Sequence, residues 1–182
     1  MAANWSTFQS KVVLFLKGKQ SSGFEQTANF FANEYDIVVK TSALLFGNQV
    51  TSTTKPPLFV SFLKAFNTMY QMKTETGPQP YIQLASEIIL NYWKNIRFSP
   101  VPPHPPTVAP APGVITNYYG DPTTLGNELY TAFNSKEETL VAANLMLAFS
   151  NHMKTINGIY IGLISTPTGL VPSPPIPWSG VF

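Results

Sequence analysis

Proline decides what large parts of this chain cannot become. Seventeen prolines stand among 182 residues, and seven of them fall in the run Pro100-Val101-Pro102-Pro103-His104-Pro105-Pro106-Thr107-Val108-Ala109-Pro110-Ala111-Pro112. Each fixes φ near about −65° and removes a backbone donor, so helix is excluded there. The spacing predicts extended polyproline II without a hydrogen-bond ladder, spanning roughly 40 Å at about 3.1 Å per residue. Such a segment serves either as a semi-rigid linker or as an arm lying on a partner or on its own domain. A second cluster, Pro172, Pro174, Pro175 and Pro177, closes the chain with Ile176, Trp178, Val181 and Phe182 interleaved or following. Apolar side chains at a chain end are costly to leave in water, so residues 165–182 read as an arm that docks. Pro102, Pro103, Pro105 and Pro106, together with Pro174, Pro175, Ile176, Pro177, Trp178, Val181 and Phe182, are therefore the candidate partner-binding residues.

Outside these clusters the apolar residues recur at helical spacing. Trp5, Phe8, Val12, Phe15 and Leu16 share one face of a helix expected from about Asn4 to Lys17. Ser22-Gly23-Phe24-Glu25 has the form of a capping box, opening a second helix whose face uses Phe24, Ala28, Phe31, Tyr35 and Val38 or Val39. That helix is expected to run on through Ala43-Leu44-Leu45-Phe46 to a stop at Gly47-Asn48, with a polar loop over 49–55. Pro56-Pro57 starts a third helix carrying Phe59, Phe62 and Phe66, and Tyr81 to Lys94 forms a fourth with Ile82, Ala85 and Ile88. Asp121-Pro122 places a capping carboxylate before a helix-starting proline, and Leu125, Leu129 and Phe133 continue at helical spacing. Ser135-Lys136-Glu137-Glu138 repeats the capping box ahead of a sixth helix reaching Thr155. For Ile159 to Ile164 helix continuation is favoured over a short strand. The expected fold is mainly α: a small helical bundle with a proline-rich extended linker and a C-terminal arm. Its regions are 1–98 (helical), 99–120 (linker), 121–164 (helical) and 165–182 (arm).

Composition narrows the class. Only 11% of residues are charged, against about a quarter in ordinary domains, while 44% are hydrophobic. Wholesale disorder, which pairs low hydrophobicity with high net charge, is excluded at +2 with 13% aromatics. Eleven basic against nine acidic residues leave no footprint for direct sequence-specific nucleic-acid binding, which needs clustered cations. Lys11, Lys17 and Lys19 near Trp5, Phe8 and Phe15 read as a solvated face. The absence of cysteine removes disulfides, thiolate chemistry and every cysteine-bearing zinc site. No run reaches the roughly 20 apolar residues of a membrane span, and Val12 to Leu16, lying between two lysines, is too short for a signal peptide.

Little in the chain points to catalysis. The two histidines, His104 in the proline run and His152 in the sixth helix, have no ligand-type neighbours at helical spacing, so no metal site is expected and each reads as a capping or partly exposed side chain. No nucleophile elbow, phosphate-cradling glycine loop or dinucleotide fingerprint occurs. Glu34 and Asp36 point to different sides of their helix, and Glu137 and Glu138 are accounted for by helix capping. The expectation is a protein that is not an enzyme and holds no cofactor.

Pro103 to Gly113 and the ending from Gly158-Ile159-Tyr160-Ile161-Gly162-Leu163 through Pro172-Ser173-Pro174-Pro175-Ile176-Pro177-Trp178-Ser179-Gly180 resemble, in composition and layout, small virion structural proteins of tailed bacteriophages. That resemblance covers mainly the second half and transfers no functional residue. It implies a non-enzymatic component of head (capsid), neck, tail or baseplate, assembled in the host cytoplasm and located in the virion. Such a component is a homo-oligomer bound to other virion structural proteins. Two alternatives are a cellular adaptor presenting the proline segment, which lacks the usual basic flank apart from Arg97, and a peripheral membrane-associated protein with an apolar tail.

Overall fold

Six stretches of apolar periodicity become six helices. The computed structural model describes residues 2–18, 23–42, 44–45, 48–52, 55–71, 77–98 and 106–180. The helices are α1 (Ala2–Lys17), α2 (Phe24–Ser42), α3 (Lys55–Gln71), α4 (Gln79–Asn91), α5 (Pro122–Phe133) and α6 (Glu138–Thr155). The fold is mainly helical and bundle-like, as the periodicity predicts. Each helix packs on the next in sequence, and α6 returns to α1 to close the ring. Inside lie the residues that the 3-and-4 spacing aligned: Phe8 and Val12 of α1, Ala28, Phe31, Ala32, Tyr35, Val38 and Val39 of α2, and Phe62 of α3. Leu84 and Ile88 of α4, Leu129 of α5 and Leu145 and Phe149 of α6 complete them. The core is strongly aromatic: Phe149 meets Tyr35 at 4.4 Å and Phe8 at 6.0 Å between ring centres, and Phe31 meets Phe133 at 5.4 Å. Gly126 lets α5 approach α4, since a Cβ there would stand 2.5 Å from the Cα of Ile82.

Several expected features take another form. Helix α2 stops at Ser42, and Leu44–Leu45 (β1) pairs instead with β2 (Asn48–Ser52), which pairs with β3 (Arg97–Phe98). The polar stretch expected as a loop is thus largely strand, because Arg97–Phe98 offers it a ladder. The Ser22 capping box lies outside the described residues. The Ser135 box does not form: Glu137 takes the N-cap position of α6 with no side-chain cap bond, while Ser135 donates back to the carbonyl of Thr131 at 3.0 Å and finishes α5. Asp121 caps α5 as expected, accepting from the Thr123 and Thr124 amides at 3.0 and 2.9 Å.

The larger correction concerns the two proline clusters. Ala109–Tyr118 is a strand, β4, rather than ladder-free polyproline II, and Asn157–Thr166 is a strand, β5, rather than a continuation of α6. The two pair antiparallel, from Ala109 opposite Leu163 to Tyr118 opposite Asn157, with irregular register between Pro110 and Val114. Along the other edge of β5 run β6 (Gly169–Pro172) and β7 (Ile176–Ser179), end to end, opposite 163–166 and 157–160 respectively. The chain therefore puts its proline-free segment in the centre of the sheet and its proline-rich segments at both edges, where a missing donor costs least. At the break between β6 and β7, Ser173 serves both backbone groups of Gly162: its amide donates to the carbonyl at 2.8 Å and its Oγ accepts from the amide at 3.1 Å. Backbone groups alternate in direction along a strand, so Pro172 and Pro174, on either side of Ser173, turn their donorless nitrogens away from β5.

Candidate functional site

The sheet has two unlike faces. Burial along β5 alternates: Gly158, Tyr160 and Gly162 are buried, whereas Ile159, Ile161 and Leu163 are half-buried. The buried row faces the bundle. Tyr160 is fully buried, and its cross-strand neighbours Ile176 and, opposite Gly158, Trp178 pack against the helical core. Direct cross-strand partners share a face, so the outer row continues into Pro177 opposite Ile159, Pro172 opposite Leu163, and Leu170 opposite Ser165. Leu170 is 57% exposed.

The candidate partner-binding residues divide accordingly. Pro106 sits exposed in a turn and is followed by buried Thr107, whose side chain occupies the space a Cβ on Gly162 would need. Pro174, Pro175 and Pro177 are exposed. Ile176 and Trp178 are turned inward onto the chain's own core. Pro102, Pro103, Pro105, Val181 and Phe182 lie outside the described residues. The described part of the C-terminal arm thus docks in cis, and its outward side rather than its tryptophan is available to a partner.

Sequence reasoning missed the feature that unites these residues. No Asp, Glu, Lys or Arg occurs in 98–120 or in 155–182, the segments that build β4 to β7. All twenty charged residues lie elsewhere. The overall figure of 11% concealed this segregation, which a plot of charge along the chain makes plain. The result is a sheet without a charge, presenting Ile, Leu and Pro on its outer face.

A second candidate is a cleft of about 430 Å³ where the junction of β4 and α5 meets α6. Asp121 and Glu128 lie on one wall, Asn151 and Lys154 on the other, and His152 forms part of the lining. His152 is buried, against the expectation of a capping or partly exposed side chain. Its Nε2 lies 2.6 Å from the carbonyl oxygen of Tyr119, which only accepts, so Nε2 carries the proton and donates. Nδ1 is buried without a hydrogen-bond partner, and Trp93 stands edge-on to the ring at 5.6 Å. Desolvation pulls the imidazole down to about 4, keeping it neutral at physiological pH, with the Tyr119 bond opposing. Gly120, at φ 92°, passes so close that a Cβ would stand 2.5 Å from Cδ2. The ring therefore works as a strut holding the junction to α6: one nitrogen is committed and the other inaccessible, which leaves none to exchange a proton with a molecule in the cleft.

Of the carboxylates there, Glu128 is held above its usual range by desolvation, which an Asn151 amide 3.3 Å away opposes. Asp121 is held below its usual range by the Thr124 hydroxyl and by the backbone amides it caps. Among the described residues no group of three or more His, Cys, Asp or Glu converges as a metal site, and no helix is long and apolar enough to cross a membrane. Elsewhere the Trp178 indole nitrogen is buried without a hydrogen-bond partner, whereas other buried polar groups are tied into the core. The Tyr92 hydroxyl donates to Asp36 at 3.0 Å, the Trp93 indole donates to the Tyr35 hydroxyl at 2.7 Å, and burial pushes both phenols up. Asp36 and Glu34 each meet a lysine, Lys40 at 2.6 Å and Lys11 at 2.9 Å. Compared with protein-family models, with curated proteins and with solved structures, the chain finds no match in any of the three.

Proposed function

We propose that this chain is a non-enzymatic structural subunit of a large assembly, binding copies of itself and other subunits through uncharged surfaces. The observation that carries the reading is the charge-free sheet. Free surfaces of soluble proteins carry interspersed charges, whereas the buried centres of interfaces are depleted of them. The sheet's outer row is apolar from Ile159 to Leu163, its β6–β7 edge is proline-rich, and β4 opens with Pro110 and Pro112. The cleft at His152 adds no competing chemistry, since its imidazole is committed to the Tyr119 carbonyl. The compositional likeness to tailed-phage virion proteins suggests the assembly: a head, neck, tail or baseplate, built in the host cytoplasm. A cellular adaptor would need its proline segment free, and from Thr107 onward that segment is committed, Thr107 buried against Gly162 and Ala109–Tyr118 paired with β5.

Mass spectrometry of purified phage particles is expected to find the chain in fixed stoichiometry, and light scattering of the isolated protein to give a mass above the monomer. A well-behaved monomer absent from particles overturns the reading.

A further inference from the structure

We infer that the outer face of the C-terminal sheet is a self-association face, through which two copies of this chain pair sheet to sheet. This rests on the reading of the chain as an assembly subunit and names the partner of one of its surfaces. The row Ile159, Ile161 and Leu163 runs down the middle of the face, with Leu170, Pro172 and Pro177 beside it. The other row of β5 is occupied by the bundle, whereas this row is half-buried and, among the described residues, has no helix packed on it.

The kind of partner follows from two exclusions. Strand addition is disfavoured along the β6–β7 edge, which carries Pro172, Pro174, Pro175 and Pro177, and over the first part of β4, which carries Pro110 and Pro112, all without amide donors, while 113–118 of β4 carries no proline. Over most of the sheet a partner therefore lies on the face rather than extending the sheet. A charged partner is also excluded, because the strands supply no Asp, Glu, Lys or Arg to answer it and the partner's charges would be desolvated without compensation. An uncharged apolar face matches another of the same kind, and a second copy presents one, related by a two-fold axis. At ~3.3 Å per residue and ~4.8 Å between strands the face measures roughly 33 by 14 Å, so two copies cover on the order of 900 Å². That lies at the low edge of specific interfaces and fits a dimer that assembles at micromolar concentration or within a larger shell.

The exposed apolar residues of the helices offer no comparable surface. Leu14 and Leu90 come one to a helix, and Phe24 and Ile37 of α2, Val60 and Tyr70 of α3 and Leu140 and Leu147 of α6 come two to a helix, on a bundle that holds nearly all of the chain's charge.

Sedimentation equilibrium of the full chain across the micromolar range tests the inference. The wild type is expected to dimerise. Ile161→Lys, which introduces one cation from each copy into the paired faces, should weaken the dimer by at least about a hundredfold. Leu147→Lys on α6, at a position 50% exposed, should leave it intact. Circular dichroism checks the fold of each variant. Should Ile161→Lys not fold, Leu170→Lys, at a 57% exposed position, carries the same test. A wild type that stays monomeric, or a folded Ile161→Lys or Leu170→Lys protein that still dimerises as the wild type does, overturns the inference. Particle mass spectrometry separates the two readings: a monomeric chain that is still a stoichiometric particle component loses this face-to-face pairing but keeps its role as a subunit.

Discussion

The helical ring and the C-terminal sheet are built from the same apolar alphabet, yet every Asp, Glu, Lys and Arg belongs to 1–97 and 121–154 and none to the segments of β4 to β7. Both regions bury one side and leave another uncovered. The ring's uncovered side mixes charges with scattered apolar residues, as a wet surface does, and the sheet's does not. The two regions share one core all the same. Ile156, Tyr160 and Trp178 belong to the same buried cluster as Phe149 and Tyr35.

The sharpest way to break the comparison is to ask whether the regions unfold separately. Phe149→Ala removes a fully buried ring that touches Phe8 and Tyr35. It should cost about 3–5 kcal/mol in chemical denaturation. With one shared core, hydrogen exchange at Tyr160 and Ile161 in β5 should accelerate together with that of α6. If α6 loosened while β5 kept its protection, the sheet would be an independent unit rather than a face of the bundle.

His152 sharpens the comparison at the seam, since it ties the junction leaving β4 to α6. Burial holds the folded imidazole at about 4, against an ordinary value of 6.5. The unfolded chain therefore binds a proton that the folded chain refuses. Stability is complete above about pH 6.5, is lost as pH falls towards 4, and by then has dropped by about 3 kcal/mol from this one group. Glu128, whose carboxyl is raised in the fold, acts in the opposite sense in the carboxylate range. The test is therefore the difference between wild type and His152→Gln in denaturant midpoints at pH 7 and pH 4.5. The wild type should lose more stability on acidification than His152→Gln does, and equal losses in the two proteins would remove His152 from this role.

What was legible in the sequence follows the same division. Helix boundaries came within a few residues because Phe8, Val12, Ala28, Phe31, Tyr35, Leu84 and Ile88 repeat with the helical period, and Asp121-Pro122 announces its cap. The sheet was illegible for a physical reason. Ile159 to Ile164 is a short apolar run whose length fits helix or strand alike, and what decides it is a ladder from residues far earlier in the chain, Ile115 opposite Ile159 and Ala109 opposite Leu163. Proline misled in the opposite direction. It forbids the centre of a sheet and tolerates the edge, and nothing local in Ala109-Pro110-Ala111-Pro112 says that an edge is waiting. His152 gave no signal of its burial, because the carbonyl that anchors it belongs to Tyr119, thirty-three residues away. The uncharged segments were visible throughout, in the distribution of charge rather than in its total.

The smallest expected effect asks what the charges on the ring are for. Lys64 of α3 meets Glu87 of α4 at 2.8 Å, with the lysine side chain 56% exposed. In water such a pair gains little Coulomb energy and is screened by salt, so a double-mutant cycle on Lys64→Ala and Glu87→Ala should return a coupling of no more than about 0.5 kcal/mol. A coupling several times larger would mean that the helical region needs its charges to fold, and the contrast with the sheet would then be one of stability. With the small value, folding is nearly indifferent to charge at this surface, so folding does not explain why the ring has charges and the sheet has none. On the proposed reading the remaining difference is what each surface faces: solvent would keep charges on the one, and a second apolar surface would make them costly on the other.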